Sequence, residues 1–547
     1  MKLLRYILRH NKRLLAAAVQ ISLITGISSA FLMALISQRL TGKDSLDFAF
    51  IGYFIGLVLI VLLLELTGKW LLIRLTTWNS YHLRMHLAQQ ILSKDLCQLE
   101  NIGIPRLLAL LTDDVRGIAQ ALHQIPSLCI SIAIIAACSA YLAWLSPPAF
   151  LTLLLLAIPA AWGHRLLHQK GKQAFAKIFA MQEQRFNHFK ALTEGAKELK
   201  LHQRRRQDFY QELFETTEAA FHHGLQAGRT WNEIATTWSQ SLYFVFIAGI
   251  FVLAVINQTS PAVLTGYALV ALYMKAYVAR FLSGLPQWSE AEVTLQQIEE
   301  LGFSLEAPDK PVDWPQQVVN APLHLQLNGV THAYQHDLDD SHFTLGPINL
   351  SLASGELVFL TGGNGSGKTT LIKLLAGLYI PEAGQVYLNG VPVTSGMLES
   401  YRQNFTVLFS DFYLFEQLLG LEKNSLDTEA GNYLTKLQLE HKVSIENGNI
   451  STTRLSTGQR KRLALLTAYL EDRPVYIFDE WAASQDPVFK EIFYRQLLPE
   501  LKARGKLVIV ISHDDHYYDV ADRVIKLDYG KVEADSCPLQ ATDVSPS

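Results

Sequence analysis

Charged residues are scarce in this chain of 547 residues. Asp, Glu, Lys and Arg together make up 18% of it, whereas 49% of the residues are hydrophobic and the mean hydropathy is +0.15. A typical soluble domain carries about 25% charged residues, so this composition predicts that part of the chain lies in a membrane. The formal net charge is −3, which provides no positive field that would attract nucleic acid. We therefore expect no nucleic-acid partner.

Cysteine is also scarce, and its spacing excludes two kinds of site. The chain has Cys97, Cys129, Cys138 and Cys537, and no two of them are spaced as C-x-x-C. This arrangement is typical neither of a metal site nor of a disulfide framework. Cys129 and Cys138 lie inside apolar runs, so we interpret them as buried thiols.

Long hydrophobic runs fill the first half of the chain. Six segments have the length and apolar composition of membrane-spanning helices. The fourth is interrupted by prolines, and the pair Pro147 and Pro148 suits a tight turn between two helices. The predicted segments cover residues 14–37, 48–68, 125–145, 147–167, 236–257 and 261–282.

The charges in the connections predict the orientation of these helices. The short connections contain few cations, whereas the two long ones, residues 69–124 and 164–230, are rich in Lys and Arg. By the positive-inside rule we expect both long connections and both termini to lie in the cytoplasm. The long connections also have helical periodicity with few glycines or prolines, so we expect the spanning helices to continue as long cytoplasmic arms.

A change in composition divides the chain. We expect residues 1–300 to form a transmembrane domain and the proline-rich residues 301–322 to form a linker. Residues 323–547 alternate short apolar strands with helices, which is typical of an α/β domain.

A glycine-rich stretch of this second domain lies between an apolar strand and a helix. The pattern G-x-x-x-x-G-K-[ST] in that context predicts a loop whose backbone N–H groups bind nucleotide phosphates. Lys368 would contact the β- and γ-phosphates, and the Thr369 hydroxyl would hold Mg²⁺. The predicted loop comprises Gly362, Gly363, Asn364, Gly365, Ser366, Gly367, Lys368, Thr369 and Thr370.

Two carboxylates follow another apolar strand, which begins at Val475. Beside a phosphate loop, Asp479 would complete the shell of the Mg²⁺ ion through water. Glu480 would orient or deprotonate the water that attacks the γ-phosphate. The alternative, a pair of acids that cap the next helix, does not explain the neighbouring loop.

A third stretch carries the resemblance to a known family. Leu455, Ser456, Thr457, Gly458 and Gln459 resemble the signature motif of ATP-binding cassette proteins, L-S-G-G-Q, with Thr457 in place of the first glycine. The order and spacing of the motifs agree with that family across the whole domain. The implied fold is an α-helical six-span transmembrane exporter domain with long cytoplasmic helical arms, fused to an α/β P-loop NTPase cassette domain.

The resemblance also implies roles for single residues. Tyr334 matches the aromatic residue that stacks on adenine in that family. His513 matches the switch histidine that reaches the γ-phosphate, and Asp486 lies in the segment that matches the loop contacting the partner subunit. One position departs from the family, because Ser410 stands where a glutamine normally senses Mg²⁺. A serine has a shorter reach, and Asp411 is the alternative contact through a water.

The resemblance implies a half-transporter that works as a homodimer, since ATP is sandwiched between the phosphate loop of one cassette and the signature of the other. The cofactors would be ATP and Mg²⁺. The chain most resembles the branch of this family that exports cyclic peptides and peptide siderophores, such as microcins and pyoverdine precursors. This resemblance implies a peptide-like cargo and a location in the bacterial inner membrane. It rests on residues 198–201, 455–462, 479–487 and 511–517.

Three hypotheses for function remain open at this point. The first is export of a cyclic or non-ribosomal peptide, a peptide antibiotic or a siderophore. The second keeps the pump but replaces the cargo by a lipid or a hydrophobic drug, which a cavity near Lys275 would not exclude. The third is a membrane sensor that uses ATP without net pumping. Lys275 and Arg280 are the candidate cavity charges, although Arg280 could instead snorkel to the cytoplasmic interface.

Overall fold

The computed structural model describes residues 12–41, 48–145, 147–256, 258, 261–304, 322–334, 343–421 and 426–536. The chain divides into two compact units. One comprises Met1–Lys94 and Leu99–Lys310, and the other comprises Asp95–Gln98 and Pro311–Ser547. The predicted linker is described only at its ends, since residues 305–321 lie outside the described part of the chain.

Most of the described residues in the first unit are helical. Six of its helices are long and apolar enough to cross a membrane, which confirms the predicted six-span class. The helices of residues 12–300 are α1 (Lys12–Thr41), α2 (Phe48–Ser93), α3 (Leu96–Ile102), α4 (Ile104–Ala109), α5 (Val115–Leu145), α6 (Pro147–Glu194), α7 (Ala196–Leu201), α8 (Gln203–Asp208), α9 (Glu215–Ile256) and α10 (Pro261–Glu300), with π-helical turns at Leu110–Asp114 and Phe209–Phe214.

The spanning helices are much longer than a bilayer requires. Helices α2, α6, α9 and α10 contain 46, 48, 42 and 40 residues, about twice the 20 residues that cross the hydrocarbon core. At a rise of about 1.5 Å per residue, α2 extends for about 69 Å. Each predicted apolar segment lies inside one helix, apart from residue 257, which is outside the described residues.

Local sequence explains where the long connections break. Helix α3 ends before Gly103, whose φ of 79° is left-handed, and Pro105 occupies the first turn of α4. Proline is tolerated in a first turn because its missing N–H has no intrahelical partner there. In the second connection, His202 is extended between α7 and α8.

Close backbone approach and tyrosine hydrogen bonds hold the helices together. Helix α9 packs along α6, while α1 and α10 pack against α5. The Tyr243 hydroxyl donates to the Ala271 carbonyl at 2.5 Å. The Tyr267 hydroxyl donates to the Leu145 carbonyl at 3.3 Å. These bonds are between helices, so both tyrosines contribute to packing, as polar side chains commonly do between membrane helices.

The second unit contains two main sheets. Its strands are β1 (His324–Tyr334), β2 (Phe343–Ala353), β3 (Leu357–Gly362), β4 (Ala383–Leu388), β5 (Val391–Pro392), β6 (Phe405–Leu408), β7 (Ile445–Glu446), β8 (Asn449–Ile450), β9 (Val475–Asp479), β10 (Leu507–Ile511), β11 (Arg523–Asp528) and β12 (Lys531–Ser536). One main sheet has six strands in the order β12, β11, β3, β10, β9 and β6, and the other is antiparallel with the order β2, β1, β4 and β5.

Helices cover the six-stranded sheet and complete its core. Strands β9 and β10 are buried along their whole length, which explains why they are continuous apolar runs rather than alternating ones. The helices of this unit are α11 (Lys368–Leu375), α12 (Leu398–Arg402), α13 (Leu426–Lys436), α14 (Thr457–Glu471), α15 (Pro487–Ile492) and α16 (Leu498–Ala503).

The strand order brings distant parts of the sequence to one sheet edge. Strands β3, β10, β9 and β6 are adjacent and parallel. In register, Ile511 of β10 pairs with both Leu360 of β3 and Asp479 of β9. The segments that follow these four strands therefore emerge together, at the carboxyl edge where open α/β sheets bind ligands.

Candidate nucleotide-binding site

The glycine-rich loop follows β3 and ends at the start of α11. Gly362 has φ 142°, and a Cβ there would lie 2.2 Å from the Leu527 carbonyl oxygen. Gly367 has φ 99°, and its Cβ would lie 2.7 Å from Leu345 Cδ1. Both positions thus require glycine for their conformation and for the close neighbour. Gly363, Asn364 and Gly365 are exposed at the mouth of the loop.

Lys368 lies at the first position of α11 and is buried. Its ammonium group donates to the carbonyl oxygens of Gly362 at 2.9 Å and Gly363 at 2.8 Å. Burial lowers the pKa of Lys368, and the carboxylates of Glu480 and Asp479 act in the opposite direction. The loop therefore holds a positive charge close to its own backbone amides.

Thr369 and Asp479 form an oxygen pair beside the loop. The Thr369 hydroxyl donates to Asp479 Oδ2 at 3.3 Å. Burial raises the pKa of Asp479 and the nearby Glu480 raises it further, while hydrogen bonds from Thr369 and from the Ser410 backbone lower it. Hydroxyl and carboxylate oxygens are the ligands that Mg²⁺ prefers, so these two residues fit the predicted ion.

Ser410 reaches this oxygen pair through its backbone. It follows β6, whose end is adjacent to that of β9, and its N–H bonds to the Asp479 carboxylate. Both Ser410 and Asp411 are exposed. The Ser410 backbone thus contacts the carboxylate that we expect to hold Mg²⁺, and every residue except proline could provide this N–H.

Glu480 and His513 come together from the ends of neighbouring strands. Glu480 Oε1 lies 3.4 Å from His513 Nε2. Both side chains are partly exposed, at 41% and 51%, so a ligand can reach them. The two residues, 33 positions apart in sequence, meet because β9 and β10 are paired.

The signature residues begin helix α14. Ser456 is its N-cap, with its Oγ accepting from the Gln459 N–H while Gln459 Oε1 accepts from the Ser456 N–H. This is a capping box, which satisfies two N–H groups that the helix leaves unpaired. Leu455 and Gly458 are half-buried and Thr457 is exposed. Among the described residues, no hydrogen bond or ion pair joins this stretch directly to the phosphate loop.

The signature instead connects to the loop that contains Asp486. The Gln485 side chain donates to the Gly458 carbonyl at 3.1 Å and accepts from Arg462 Nε at 2.9 Å. Arg462 also donates to the Asp486 carboxylate. Asp486 caps α15 by accepting from the Phe489 N–H at 2.9 Å, and that bond holds the pKa of Asp486 below its usual value.

Sequence reasoning missed Gln485, Arg462 and especially Lys461. Lys461 is 6% exposed, and its ammonium group donates to the Glu480 carbonyl at 2.9 Å. Burial lowers the pKa of Lys461, whereas Glu480 and Asp479 raise it. A signal was present, because Lys461 precedes Leu465 by one helical turn and so occupies the apolar face of α14.

The other predicted residues are Tyr334 in the second unit and Lys275 and Arg280 in α10. The backbone of Tyr334 ends β1, and its side chain lies outside the described residues. In α10, Lys275 Nζ lies 3.9 Å from the centre of the Phe244 ring, and the Arg280 guanidinium lies 5.3 Å from the centre of the Tyr277 ring. Both cations thus contact aromatic faces.

Comparisons with known proteins agree with this fold. Residues 345–483 match the family model described as ABC transporter. ATP-binding protein SyrD of Pseudomonas syringae pv. syringae is 35% identical over 531 residues, which are 94% of this chain and 92% of that protein. A solved structure described as a bacterial Atm1-family ABC exporter with ATP bound has a TM-score of 0.76 over 97% of this chain and 96% of that one, at 14% identity, and so shows the fold.

Other relatives are similar over shorter lengths. The subtilin transport ATP-binding protein SpaT of Bacillus subtilis is 31% identical over 35% of this chain and 33% of that protein. An ATP-dependent lipid A-core flippase of Alkalilimnicola ehrlichii is 27% identical over 60% of this chain and 57% of that protein. Relatives with different named cargoes therefore share parts of this sequence.

The spanning helices and the phosphate loop together define a multi-pass membrane protein with an ATP-binding domain. The full-length similarity is more specific. The chain belongs to the ABC transporter family, as an exporter half-transporter and an ATPase coupled to transport.

Proposed function

We propose that this exporter uses ATP to move a peptide-like cargo, such as a cyclic or non-ribosomal peptide, a peptide antibiotic or a siderophore precursor, across the bacterial inner membrane. The observation that carries the peptide class is the resemblance of residues 198–201, 455–462, 479–487 and 511–517 to peptide exporters. The similarity to SyrD along 94% of the chain extends the likeness to the full length of such a protein. The partial similarity to the subtilin transport protein supports the same cargo class.

The phosphate loop is proposed to hold ATP. Exposed backbone groups of Gly363, Asn364 and Gly365 would face the phosphates, and Lys368 would exchange its two carbonyl partners for phosphate oxygens. Thr369 and Asp479 would hold Mg²⁺, which supplies positive charge against the phosphates when bound. Ser410 would support Asp479 through its backbone N–H.

Glu480 is the proposed general base for the attacking water. Its carboxylate is partly exposed and lies 3.4 Å from His513, so it can contact both a water molecule and this imidazole. His513 would orient Glu480 and contact the γ-phosphate, where negative charge develops during transfer. Tyr334 is proposed to stack on the adenine ring.

A complete site is proposed to require a second copy of the chain. The signature residues 455–459 are exposed or half-buried and are not bonded to the phosphate loop of their own chain in the described structure. They would contact ATP bound to the partner, near the loop that contains Asp486. ATP binding would then bring the two cassettes together, and hydrolysis would release them.

Transport of a lipid is the second candidate function. It is favoured by the similarity to lipid A-core flippases, which covers 57% of one such protein. Lys275, which packs on the Phe244 ring, would suit an anionic headgroup as well as a peptide carboxylate. A sensor that does not pump is less consistent with the paired Glu480 and His513 side chains.

One experiment tests the cargo and the catalytic assignment together. Culture media from the native host expressing the wild-type chain are compared by mass spectrometry with media from the same host expressing Glu480→Gln at equal membrane levels. We expect Glu480→Gln to bind ATP but to stall with the cassettes closed, so that a peptide-like mass appears outside the cell only with wild type.

Two results would contradict the proposal. Identical media would favour a lipid, which stays in the membrane, or a sensor. Undiminished steady-state ATP hydrolysis by purified Glu480→Gln would remove the catalytic role of this glutamate.

A further inference from the structure

Lys461 lies where helix α14 meets the end of strand β9. The residue is 6% exposed, and a buried ammonium group requires partners to offset its lost hydration. Its Nζ donates to the backbone carbonyl of Glu480 at 2.9 Å. In the opposite direction, the Trp481 indole N–H donates to the Lys461 carbonyl at 3.0 Å. Lys461 is thus bonded to two consecutive residues at the point where the chain leaves the sheet.

Glu480 has an unusual backbone conformation at this point. Its φ of 48° and ψ of 34° are left-handed, a region that residues other than glycine rarely adopt. Such conformations persist only when the surrounding structure determines them, and they occur often at functional sites. The backbone angles of Glu480 also set the direction of its side chain, and hence the 3.4 Å separation from His513.

Several contacts hold this conformation, and Lys461 supplies the charged one. The Glu480 N–H donates to the Ile511 carbonyl at 3.2 Å, and the Glu480 carbonyl also accepts from the Ala483 N–H at 3.3 Å. A hydrogen bond with a charged donor is stronger than these neutral bonds. Trp481 is itself fixed, since its ring stacks on Phe493 with 4.4 Å between the centroids.

We propose that Lys461 is a positioning residue for ATP hydrolysis, which holds Glu480 in its left-handed conformation and so directs the Glu480 carboxylate at the attacking water. This inference rests on the proposed catalytic role of Glu480. Lys461 is buried and is bonded to the backbone of Glu480, so we expect it to act on the orientation of the base and to have little influence on ATP binding.

The first test replaces the donor while keeping the length of the side chain. In the purified full-length protein, Lys461→Met should lower kcat for ATP by roughly tenfold or more, since small misplacements of a reacting group are costly. The KM for ATP should change by less than about twofold. The matched control is Lys526→Met, because Lys526 is an exposed lysine paired with Glu533 on β11 and β12. That control should retain wild-type kcat and KM.

A double-mutant cycle separates positioning from general damage. If Lys461 acts through Glu480, Lys461→Met should have little further effect in a Glu480→Gln background, where the base is already absent. A fall of the same factor in both backgrounds would overturn the inference. An unchanged kcat in Lys461→Met alone would also overturn it.

Two further comparisons distinguish a failure of the positioning role of Lys461 from a failure of the catalytic role of Glu480. Lys461→Gln, which retains a donor on a shorter side chain, should show a smaller fall in kcat than Lys461→Met, and an equal fall would contradict a role for the hydrogen bond. If Glu480→Gln hydrolyses ATP normally, the proposed catalytic role of Glu480 fails. If Glu480→Gln is inactive and Lys461→Met is normal, only the positioning role fails.

Discussion

Lys368, the residue proposed to bind the ATP phosphates, is held in place by neighbouring backbone groups. Lys368 is buried, and its ammonium group bonds to two carbonyl oxygens of the loop. Burial lowers its pKa, but the carboxylates of Glu480 and Asp479 oppose this shift. A phosphate oxygen that replaces the carbonyls would therefore meet a charged donor that is already in place.

We expect Lys368→Ala to weaken ATP binding. A hydrogen bond to a charged group contributes about 2 kcal/mol, so the Kd should rise roughly 30-fold. Fluorescence titration with a labelled ATP analogue measures this change, with Lys526→Met as the control for removal of an exposed lysine. An unchanged Kd would show that Lys368 does not contact the nucleotide.

At Ser410, in contrast to Lys368, we expect removal of the side chain to have little effect on ATP hydrolysis. Its described contact with Asp479 is through the backbone N–H, and its side chain is exposed. We therefore expect Ser410→Ala to leave kcat and the Mg²⁺ dependence of hydrolysis within about twofold of wild type, because surface substitutions usually change little. A large increase in the Mg²⁺ concentration required would instead assign the metal contact to the hydroxyl.

At the scale of elements, close helix packing depends on single glycines. A Cβ at Gly26 of α1 would lie 2.5 Å from Ala133 Cβ and 3.1 Å from the Ile130 carbonyl oxygen of α5. Both neighbours are attached directly to a backbone, so neither can rotate away. In membranes, such small residues allow helices to approach and gain van der Waals contact.

We expect Gly26→Ala to push α1 and α5 apart and to destabilise the protein by about 1–3 kcal/mol, the usual cost of overpacking. The readout is the temperature at which the detergent-solubilised protein loses its monodisperse peak in size-exclusion chromatography. Gly52→Ala in α2 is the control, since a Cβ there meets no atom within 4 Å. Equal melting temperatures for the two variants would contradict the importance of this contact.

At the scale of the whole molecule, charge distribution predicts which parts face the cytoplasm. The two long connections carry most of the Lys and Arg of the first half, and the structure shows that the spanning helices extend into both of them. Cations are retained on the cytoplasmic side during insertion. The connection between α6 and α9 should therefore be cytoplasmic, and the turn between α9 and α10 should face the opposite side.

This orientation can be measured with a membrane-impermeant maleimide in spheroplasts. In a chain without its native cysteines, we expect a cysteine at Gln258 to be labelled and one at Lys197 to be protected until the membrane is permeabilised. Both positions are exposed, so burial does not explain a difference between them. Labelling in the reverse pattern would invert the proposed topology.

The sequence by itself determined the local features of this protein. Each of the six spanning helices and the glycine-rich loop occupies one continuous stretch, so apolar length and glycine spacing were sufficient to predict them. The order of strands and motifs likewise indicated the α/β class. The sequence also indicated that these helices continue beyond their apolar segments, but their exact ends came from the structure.

Only the tertiary structure decided which distant residues meet. Lys461 bonds to Glu480 19 positions away, Glu480 approaches His513, and Tyr243 bonds between helices. The pairing of parallel strands and the crossing of helices create these contacts, and local sequence patterns predict neither of them. The contact between Ser410 and Asp479 was not predicted either, because it is made by a backbone N–H, which almost every residue carries. Local periodicity thus specifies the elements, while their packing specifies the site.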